Sequence, residues 1–267
     1  MNDNDVRVCW DKIGFGDYSI LQDREQFSYG IDAVLLADFA ANFINEKKKS
    51  TEGIAVDLGT GTGVIPLILA HKTSLDKIIG LDIEKYFVKL AKKSAVKNGL
   101  DKRVFYEVCD VRENKGLDFT NAPEFRDSEM LNRHSLECDF VLCNPPYFKS
   151  NASIPSMNSI KDAARREIKG SLSDFCFFAS NILKRGAEFY LIHKPERLID
   201  VFASLRDACL EPRDIRMVSS NISGEPKFVL VRSIKNGGEN LRFMRPMVIY
   251  ENDGNYTQEI LKIYERV

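Results

Sequence analysis

The sequence lacks the features of a metal-binding or disulfide-stapled protein. Its six cysteines form no C-x-x-C pair, and together with its three histidines they make no four-ligand zinc signature. Disulfide scaffolds and structural zinc sites both depend on such spacings. We therefore expect reduced, mostly buried thiols in a cytoplasmic protein that holds no metal.

The chain also has no long hydrophobic run and almost no net charge. Its longest apolar stretch, residues 64–70, is much shorter than the roughly 20 residues that cross a bilayer as a helix. The acidic start at residues 1–5 does not resemble a signal peptide. The formal net charge is -1, so a nucleic-acid partner would need local clusters of Lys and Arg. We expect no association with a membrane.

What the chain does have is the composition of a globular α/β protein. Its 267 residues, 44% of them hydrophobic, are enough to bury a sizeable core. Residues 1–30 carry a short apolar series broken by Gly14 and Gly16, which suggests an N-terminal hairpin or cap. Residues 31–267 then form the main domain, which begins with a helix that ends before Glu46.

Strand and helix patterns alternate along that domain. Apolar runs predict strands at residues 54–56, 77–81, 104–108, 140–143, 188–192, 215–218, 228–234 and 247–250. Helical spacing predicts helices at residues 64–71, 86–98, 172–183, 197–210 and 257–264. Residues 112–137 are expected to form a surface excursion, and residues 148–170 a flap. Repeated βα units predict a doubly wound, mostly parallel sheet with helices on both faces.

A glycine-rich turn follows the first of these strands. Residues 57–63 read Asp-Leu-Gly-Thr-Gly-Thr-Gly, and glycines at alternate positions let the backbone approach a ligand closely. A dinucleotide fingerprint would need glycine where this chain has Val64. The Asp57 carboxylate would repel a pyrophosphate but attract the amino group of an amino-acid-bearing cofactor. S-adenosylmethionine fits, because it carries an amino acid and no phosphate.

Two more acids stand at the ends of the next two strands. Asp82 can accept hydrogen bonds from ribose hydroxyls, as acids do at that position in nucleotide-binding sheets. Asp110 is placed to meet the adenine amino group. The predicted cofactor site comprises Tyr29, Asp57, Gly59, Thr60, Gly61, Gly63, Asp82, Ile83, Asp110, Val111 and Asn144.

The sequence Asn144, Pro145, Pro146 and Tyr147 follows the strand at residues 140–143. It therefore lies beyond a strand's carboxyl end, where open α/β sheets bind ligands. The prolines remove two backbone donors, which leaves the Asn144 side-chain oxygen and the Pro145 carbonyl as acceptors for an NH2 group. Tyr147 offers a flat ring for stacking on a base. The alternative is a stiff turn in which Tyr147 packs for stability.

These motifs, in this order, resemble those of class I S-adenosylmethionine-dependent methyltransferases that modify exocyclic amino or amide nitrogens. Further segments are similar to the bacterial tRNA1(Val) adenine-N6 methyltransferase family, which acts on the adenine next to the anticodon. They are residues 27–36, 147–148, 165–167, 246–250 and 254–257. In that family the second residue of the segment 165–167 is often histidine. Arg166 differs from that pattern, so we assign it no catalytic role.

The resemblance covers most of the chain and implies a seven-stranded sheet with the last strand antiparallel. It also implies one S-adenosylmethionine, a tRNA partner and no metal, and we expect a monomer. The implied catalytic residues are Asn144, Pro145 and Tyr147. The implied substrate contacts are Pro146, Tyr147, Phe148 and Arg165.

Two alternatives stay open. Methyltransferases that act on the glutamine of release factors share the motif at residues 144–147, but they usually carry a helical N-terminal domain. Only about fifty residues precede the first main-domain strand here. A non-catalytic RNA-binding module on the same fold is disfavoured, because the motif and the three acids are all present.

Overall fold

The computed structural model describes residues 8–23, 25–26, 28–47, 53–113, 137–146 and 170–266. The chain begins with a hairpin of β1 (Val8–Lys12) and β2 (Ser19–Asp23), which pair antiparallel. Ile13 and Phe15 in the connecting loop are buried in the main hydrophobic core. A division of the chain at residue 30 into cap and domain stays a prediction.

The main sheet contains seven strands of five or more residues. They are β3 (Ile54–Leu58), β4 (Lys77–Asp82), β5 (Val104–Val108), β6 (Cys138–Cys143), β7 (Leu183–His193), β8 (Leu210–Ser219) and β9 (Pro226–Lys235). Two strands of two residues each, β10 (Arg242–Phe243) and β11 (Met247–Val248), both pair with β8. The order across the sheet is β10-β8-β9-β7-β6-β3-β4-β5.

The sheet is parallel except at β9, which pairs antiparallel with both β7 and β8. The predicted fold class is therefore confirmed, including the antiparallel last long strand. The seven long strands match the number that the resemblance implies, and the two-residue strands β10 and β11 bring the sheet of the described residues to nine strands. The additional strands arise because the C-terminal tail hydrogen-bonds to β8, which would otherwise expose an unpaired edge.

Six α-helices occur in the part of the chain that the structure describes. They are α1 (Ile31–Lys47), α2 (Val64–Lys72), α3 (Lys85–Lys97), α4 (Leu172–Ile182), α5 (Leu198–Asp207) and α6 (Gln258–Ile263). Successive strand residues face opposite sides of the sheet. Ala55 accordingly packs in the core that includes α1 and α2, and Val56 packs in the core that includes α4 and α5.

Several element ends differ from the sequence predictions. β3 continues to Leu58, so Asp57 belongs to the strand and not to the turn. α1 continues to Lys47, past the predicted end before Glu46. Most of the predicted excursion at 112–137 and of the predicted flap at 148–170 lies outside the described residues. Among the helices that are described, none is long and apolar enough to cross a membrane.

The order of the strands determines where a ligand can bind. The chain adds β4 and β5 on one side of β3, and then returns to place β6 on the other side. Open α/β sheets bind ligands beyond the carboxyl ends of the strands at such a reversal. The glycine turn after β3 and the Asn144 loop after β6 meet at this position.

Candidate active site

A pocket lies beyond the carboxyl ends of β3, β4, β5 and β6. Its wall brings together seven residues that the sequence assigned to a cofactor site. They are Gly59, Gly61, Asp82, Ile83, Asp110, Val111 and Asn144. Pro146, a predicted substrate contact, lines the same pocket. The loops after four successive strands of the sheet therefore form a single cavity.

The glycine turn is tied to the end of β4 by two hydrogen bonds. Thr60 N donates to Leu81 O at 2.9 Å, and Gly61 N donates to Asp82 Oδ2 at 2.8 Å. Gly59 and Gly61 have φ angles of 70° and 54°, a left-handed conformation that glycine adopts without strain. The turn thus presents backbone, with no side chain at these positions, to the pocket.

The buried side chain of Tyr106, on β5, packs against the glycine turn. Tyr106 donates from its hydroxyl to Gly63 O at 2.9 Å. A methyl group on Gly63 would lie 2.6 Å from Tyr106 Oη, and one on Gly80 would lie 2.5 Å from Tyr106 Cδ1. Both positions therefore require glycine for space, and Gly63 has this role without lining the pocket. The only sequence signal for Gly80 was a glycine inside a predicted strand.

Asp82 has a carboxylate that the backbone holds in place. Oδ2 accepts from Gly61 N, and Oδ1 accepts from Glu84 N at 2.9 Å. Donors on both oxygens fix the orientation of the group at the end of β4. A fixed carboxylate in a pocket wall is suited to bind a pair of adjacent hydroxyls.

Asp57 is almost fully buried, with 1% of its surface exposed. Neither of its oxygens makes a well-formed hydrogen bond with the described residues, and the Thr60 and Thr62 hydroxyls are also buried without one. Burial raises the pKa of Asp57 to about 8, the Thr60 hydroxyl lowers it, and the charge of Asp82 raises it. A buried carboxyl with no well-formed hydrogen bond is uncommon and suggests that a ligand supplies a donor.

Asp110 lines the pocket but pairs with a residue that the sequence analysis missed. Arg112 Nε lies 2.8 Å from Asp110 Oδ1, and Arg112 Nη2 lies 2.5 Å from Oδ2. The hydrogen bond from Arg112 lowers the pKa of Asp110, so this carboxylate is ionised near neutral pH. Arg112 occupies the acceptors that the predicted adenine amino group would use.

Asn144 follows β6 directly and projects an amide into the pocket wall. Its Nδ2 donates to Asp32 Oδ2, on the first turn of α1, at 3.1 Å. Pro145, the next residue of the loop, is buried. The remaining predicted substrate residues, Tyr147, Phe148 and Arg165, lie outside the described residues.

Tyr29 is not among the residues that line the pocket. It is partly buried against the main core, and its backbone N donates to Gln22 Oε1 at 3.2 Å. Thr60, within the glycine turn, is buried and does not line the pocket either. The structure adds apolar residues that no motif marked, namely Leu81, Phe87 and Phe175. Phe175 comes from α4, far along the chain, so local sequence gave no signal for it.

Cys109 also lies in the pocket wall, between β5 and Asp110. Burial raises the pKa of its thiol to about 11, and the charges of Asp110 and Glu113 raise it as well. The thiol is therefore neutral near pH 7 and a poor nucleophile. Across the described ranges, no group of three or more His, Cys, Asp or Glu side chains is arranged to hold a metal ion.

A family model described as a methyltransferase domain matches residues 49–144. The match runs from before β3 to Asn144 and includes most of the pocket wall. The chain contains a methyltransferase domain. Its fold is that of the class I, Rossmann-like enzymes, and the pocket is where such a sheet binds its ligand.

Curated relatives and solved structures agree with this methyltransferase fold. The chain is 24% identical to the tRNA1(Val) (adenine(37)-N6)-methyltransferase of Porphyromonas gingivalis, over 96% of this chain and 94% of that protein. It is 27% identical to a putative protein N5-glutamine methyltransferase of Methanocaldococcus jannaschii, over 58% of this chain and 65% of that protein. A predicted O-methyltransferase from Agrobacterium tumefaciens superposes with a TM-score of 0.62 at 17% identity, covering 88% of this chain and 97% of that one.

Proposed function

We propose that this methyltransferase transfers a methyl group from S-adenosylmethionine to N6 of an adenine in tRNA, at the position next to the anticodon. The observation that carries the proposal is the Asn144 loop, because Asn144 and Pro146 line the same pocket as six other predicted cofactor residues. The name of the Porphyromonas gingivalis relative, which matches nearly the whole chain, supports the choice of substrate.

The residues of the pocket fit S-adenosylmethionine. Asp57 is not among the residues that line the pocket, but its two buried oxygens make no well-formed hydrogen bond with the described residues, and they suit the cofactor's amino group. Asp82 presents a fixed carboxylate to the ribose hydroxyls. Leu81, Ile83 and Phe175 provide apolar surface for the adenine ring. When bound, the cofactor supplies an electrophilic methyl group.

The chain's own residues then make an adenine nitrogen reactive. The N6 lone pair is delocalised into the ring, so the nitrogen is a weak nucleophile. The Asn144 side-chain oxygen and the Pro145 carbonyl can accept hydrogen bonds from the two N–H groups of N6. The nitrogen can then rehybridise and direct its lone pair at the methyl group. Positive charge grows on N6 in the transition state, so these acceptors stabilise the transition state more than the ground state.

Positioning supplies the rest of the rate enhancement. In-line methyl transfer depends on alignment of the reacting atoms more than on a strong proton acceptor. Loop residues that hold the adenine in place supply this alignment. Pro146 lines the pocket beside Asn144. Tyr147, by the sequence prediction, stacks on the extruded base. An adenine already exposed in a single-stranded loop is less costly to extrude than a paired one.

Asp82→Ala is expected to weaken binding of S-adenosylmethionine by about 1 to 3 kcal/mol, because charge-assisted hydrogen bonds to the ribose are lost. Isothermal titration calorimetry measures this directly. Asp101→Ala, at an exposed turn, is the matched control and should bind like the wild type. Unchanged affinity in Asp82→Ala would remove Asp82 from the cofactor site.

Binding of S-adenosylmethionine at pH 7 is expected to release a proton from Asp57. The carboxyl has a pKa of about 8 without ligand and is mostly protonated at pH 7. A nearby ammonium group favours the carboxylate and lowers that pKa, so the proton leaves. Calorimetry in buffers of different ionisation enthalpy counts the protons. Equal release by Asp57→Asn would show that the proton comes from another group.

The substrate is tested by offering two acceptors in separate reactions with labelled S-adenosylmethionine. One contains total tRNA that lacks the modification, and the other contains a purified release factor. The proposal predicts label in the tRNA alone. The second candidate function, methylation of a glutamine amide, uses the same acceptors, and the Methanocaldococcus relative favours it. Label in the release factor alone would establish that alternative.

A further inference from the structure

The carboxylate of Asp32 contacts the side-chain amide of Asn144 across a large separation in sequence. Asn144 Nδ2 donates to Asp32 Oδ2 at 3.1 Å, although the two residues are 112 positions apart. Asp32 is the second residue of α1, and Asn144 is the first residue after β6. The contact therefore joins the start of a buried helix to the loop of the active site.

The backbone at Gly30 leaves room for this carboxylate. A methyl group on Gly30 would lie 2.5 Å from Asp32 Oδ1 and 3.5 Å from Asp32 Cγ. Any other residue at position 30 would push the Asp32 side chain away from its present place. Glycine at position 30 thus leaves space for the Asp32 carboxylate, and the hydrogen bond from Asn144 fixes it in that space.

An ionised carboxylate can only accept hydrogen bonds, so it selects one orientation of the amide. The nitrogen end of the Asn144 amide faces Asp32, so its oxygen is not the atom that makes this contact. A negative partner at the nitrogen end also polarises the amide, which strengthens Oδ1 as an acceptor. Both effects favour a hydrogen bond from an attacking amino group to Asn144 Oδ1.

We propose that Asp32 is a positioning residue for methyl transfer, which fixes the orientation of the Asn144 amide and strengthens its oxygen as an acceptor. The inference rests on the proposed function, in which Asn144 accepts from the substrate nitrogen. Asp32 itself is not among the residues that line the pocket. Its loss should lower kcat and leave the affinity for S-adenosylmethionine unchanged.

Steady-state kinetics with tRNA test this role. Asp32→Ala is expected to lower kcat by about 10- to 100-fold, the effect of removing one charged hydrogen-bond partner. Asp32→Asn keeps an oxygen acceptor and should lose less. The matched control is Asp200→Asn, because Asp200 is the first-turn acid of α5. Asp32→Ala with a kcat within twofold of wild type, or with the same loss appearing in cofactor affinity, would overturn the proposal.

Glycine variants test the same geometry without altering the carboxylate. Gly30→Ala should displace Asp32 and lower kcat in the same direction as Asp32→Ala. Gly238→Ala is the control, because nothing lies within 4 Å of a methyl group there. Wild-type kcat in Gly30→Ala would contradict the claim that this space positions the carboxylate.

Nuclear magnetic resonance separates failure of this inference from failure of the proposed function. The Asn144 side-chain NH2 signals are assigned by their disappearance in Asn144→Ala. They should shift in Asp32→Ala and stay in place in Asp200→Asn, whatever the substrate is. If tRNA is not methylated by the wild type, the proposed function fails, and an unshifted signal in Asp32→Ala then refutes the positioning contact as well.

Discussion

Asn144→Ala is expected to lower kcat for tRNA methylation by a factor of about 100 to 1,000, the effect of removing one preorganised hydrogen-bonding group from a reaction centre. The variant loses the side-chain oxygen that accepts from the attacking nitrogen, and alanine cannot replace it. Affinity for S-adenosylmethionine should change little, because Asp57 and Asp82 make the predicted polar contacts with the cofactor. Single-turnover kinetics and calorimetry measure the two quantities separately.

The control for this variant is Asn252→Ala, which removes an exposed asparagine from a C-terminal turn. It should retain the wild-type kcat and cofactor affinity. A loss of cofactor binding in Asn144→Ala as large as its loss of turnover would place Asn144 in the cofactor site alone. Retained turnover would refute its catalytic role.

Arg232→Met is expected to destabilise the fold by about 3 to 5 kcal/mol, because it leaves buried carboxylates without their shared cation. Arg232 Nε lies 2.7 Å from Asp214 Oδ2, and its Nη1 contacts Glu188. Both acids are essentially unexposed. Lys47 and Arg242 also pair with these acids but reach them from more exposed positions, so they compensate only in part.

Denaturant unfolding measures the change, and the thermal midpoint should fall by roughly 10 °C for a chain of this size. The matched control is Arg206→Met, since Arg206 pairs with Glu211 and Glu239 on the surface. Exposed ion pairs contribute little, so its midpoint should stay close to that of the wild type. If the thermal midpoints of the two variants fell equally, the buried ion pairs would contribute no more to stability than the surface pairs.

Much of the site could be predicted because parallel strands end at one edge of the sheet. A carboxylate directly after a buried strand must lie at that edge, which placed Asp82 and Asp110 correctly beside the glycine turn. The same rule placed Asn144. These predictions needed only the positions of strand ends, which apolar runs indicate well.

The residues that were missed depend on contacts between distant parts of the chain. Asp32 reaches Asn144 through the packing of α1, and Tyr106 reaches Gly63 from two strands away. Neither contact leaves a local pattern. Phe175 enters the pocket from α4, which looked like an ordinary amphipathic helix. Of the two edge strands, β11 lies within the predicted strand at residues 247–250, whereas β10 was missed because two residues are too few for an alternating pattern to appear.

The central claim is that this methyltransferase modifies adenine N6 next to the anticodon of a tRNA. The most direct measurement is mass spectrometry of tRNA from a reaction with the purified enzyme, digested to nucleosides and also to mapped oligonucleotides. The account predicts N6-methyladenosine in the oligonucleotide that contains the adenine immediately 3′ of the anticodon, and none with Asn144→Ala. A methyl group on another atom, at another tRNA position, or only on protein would contradict it.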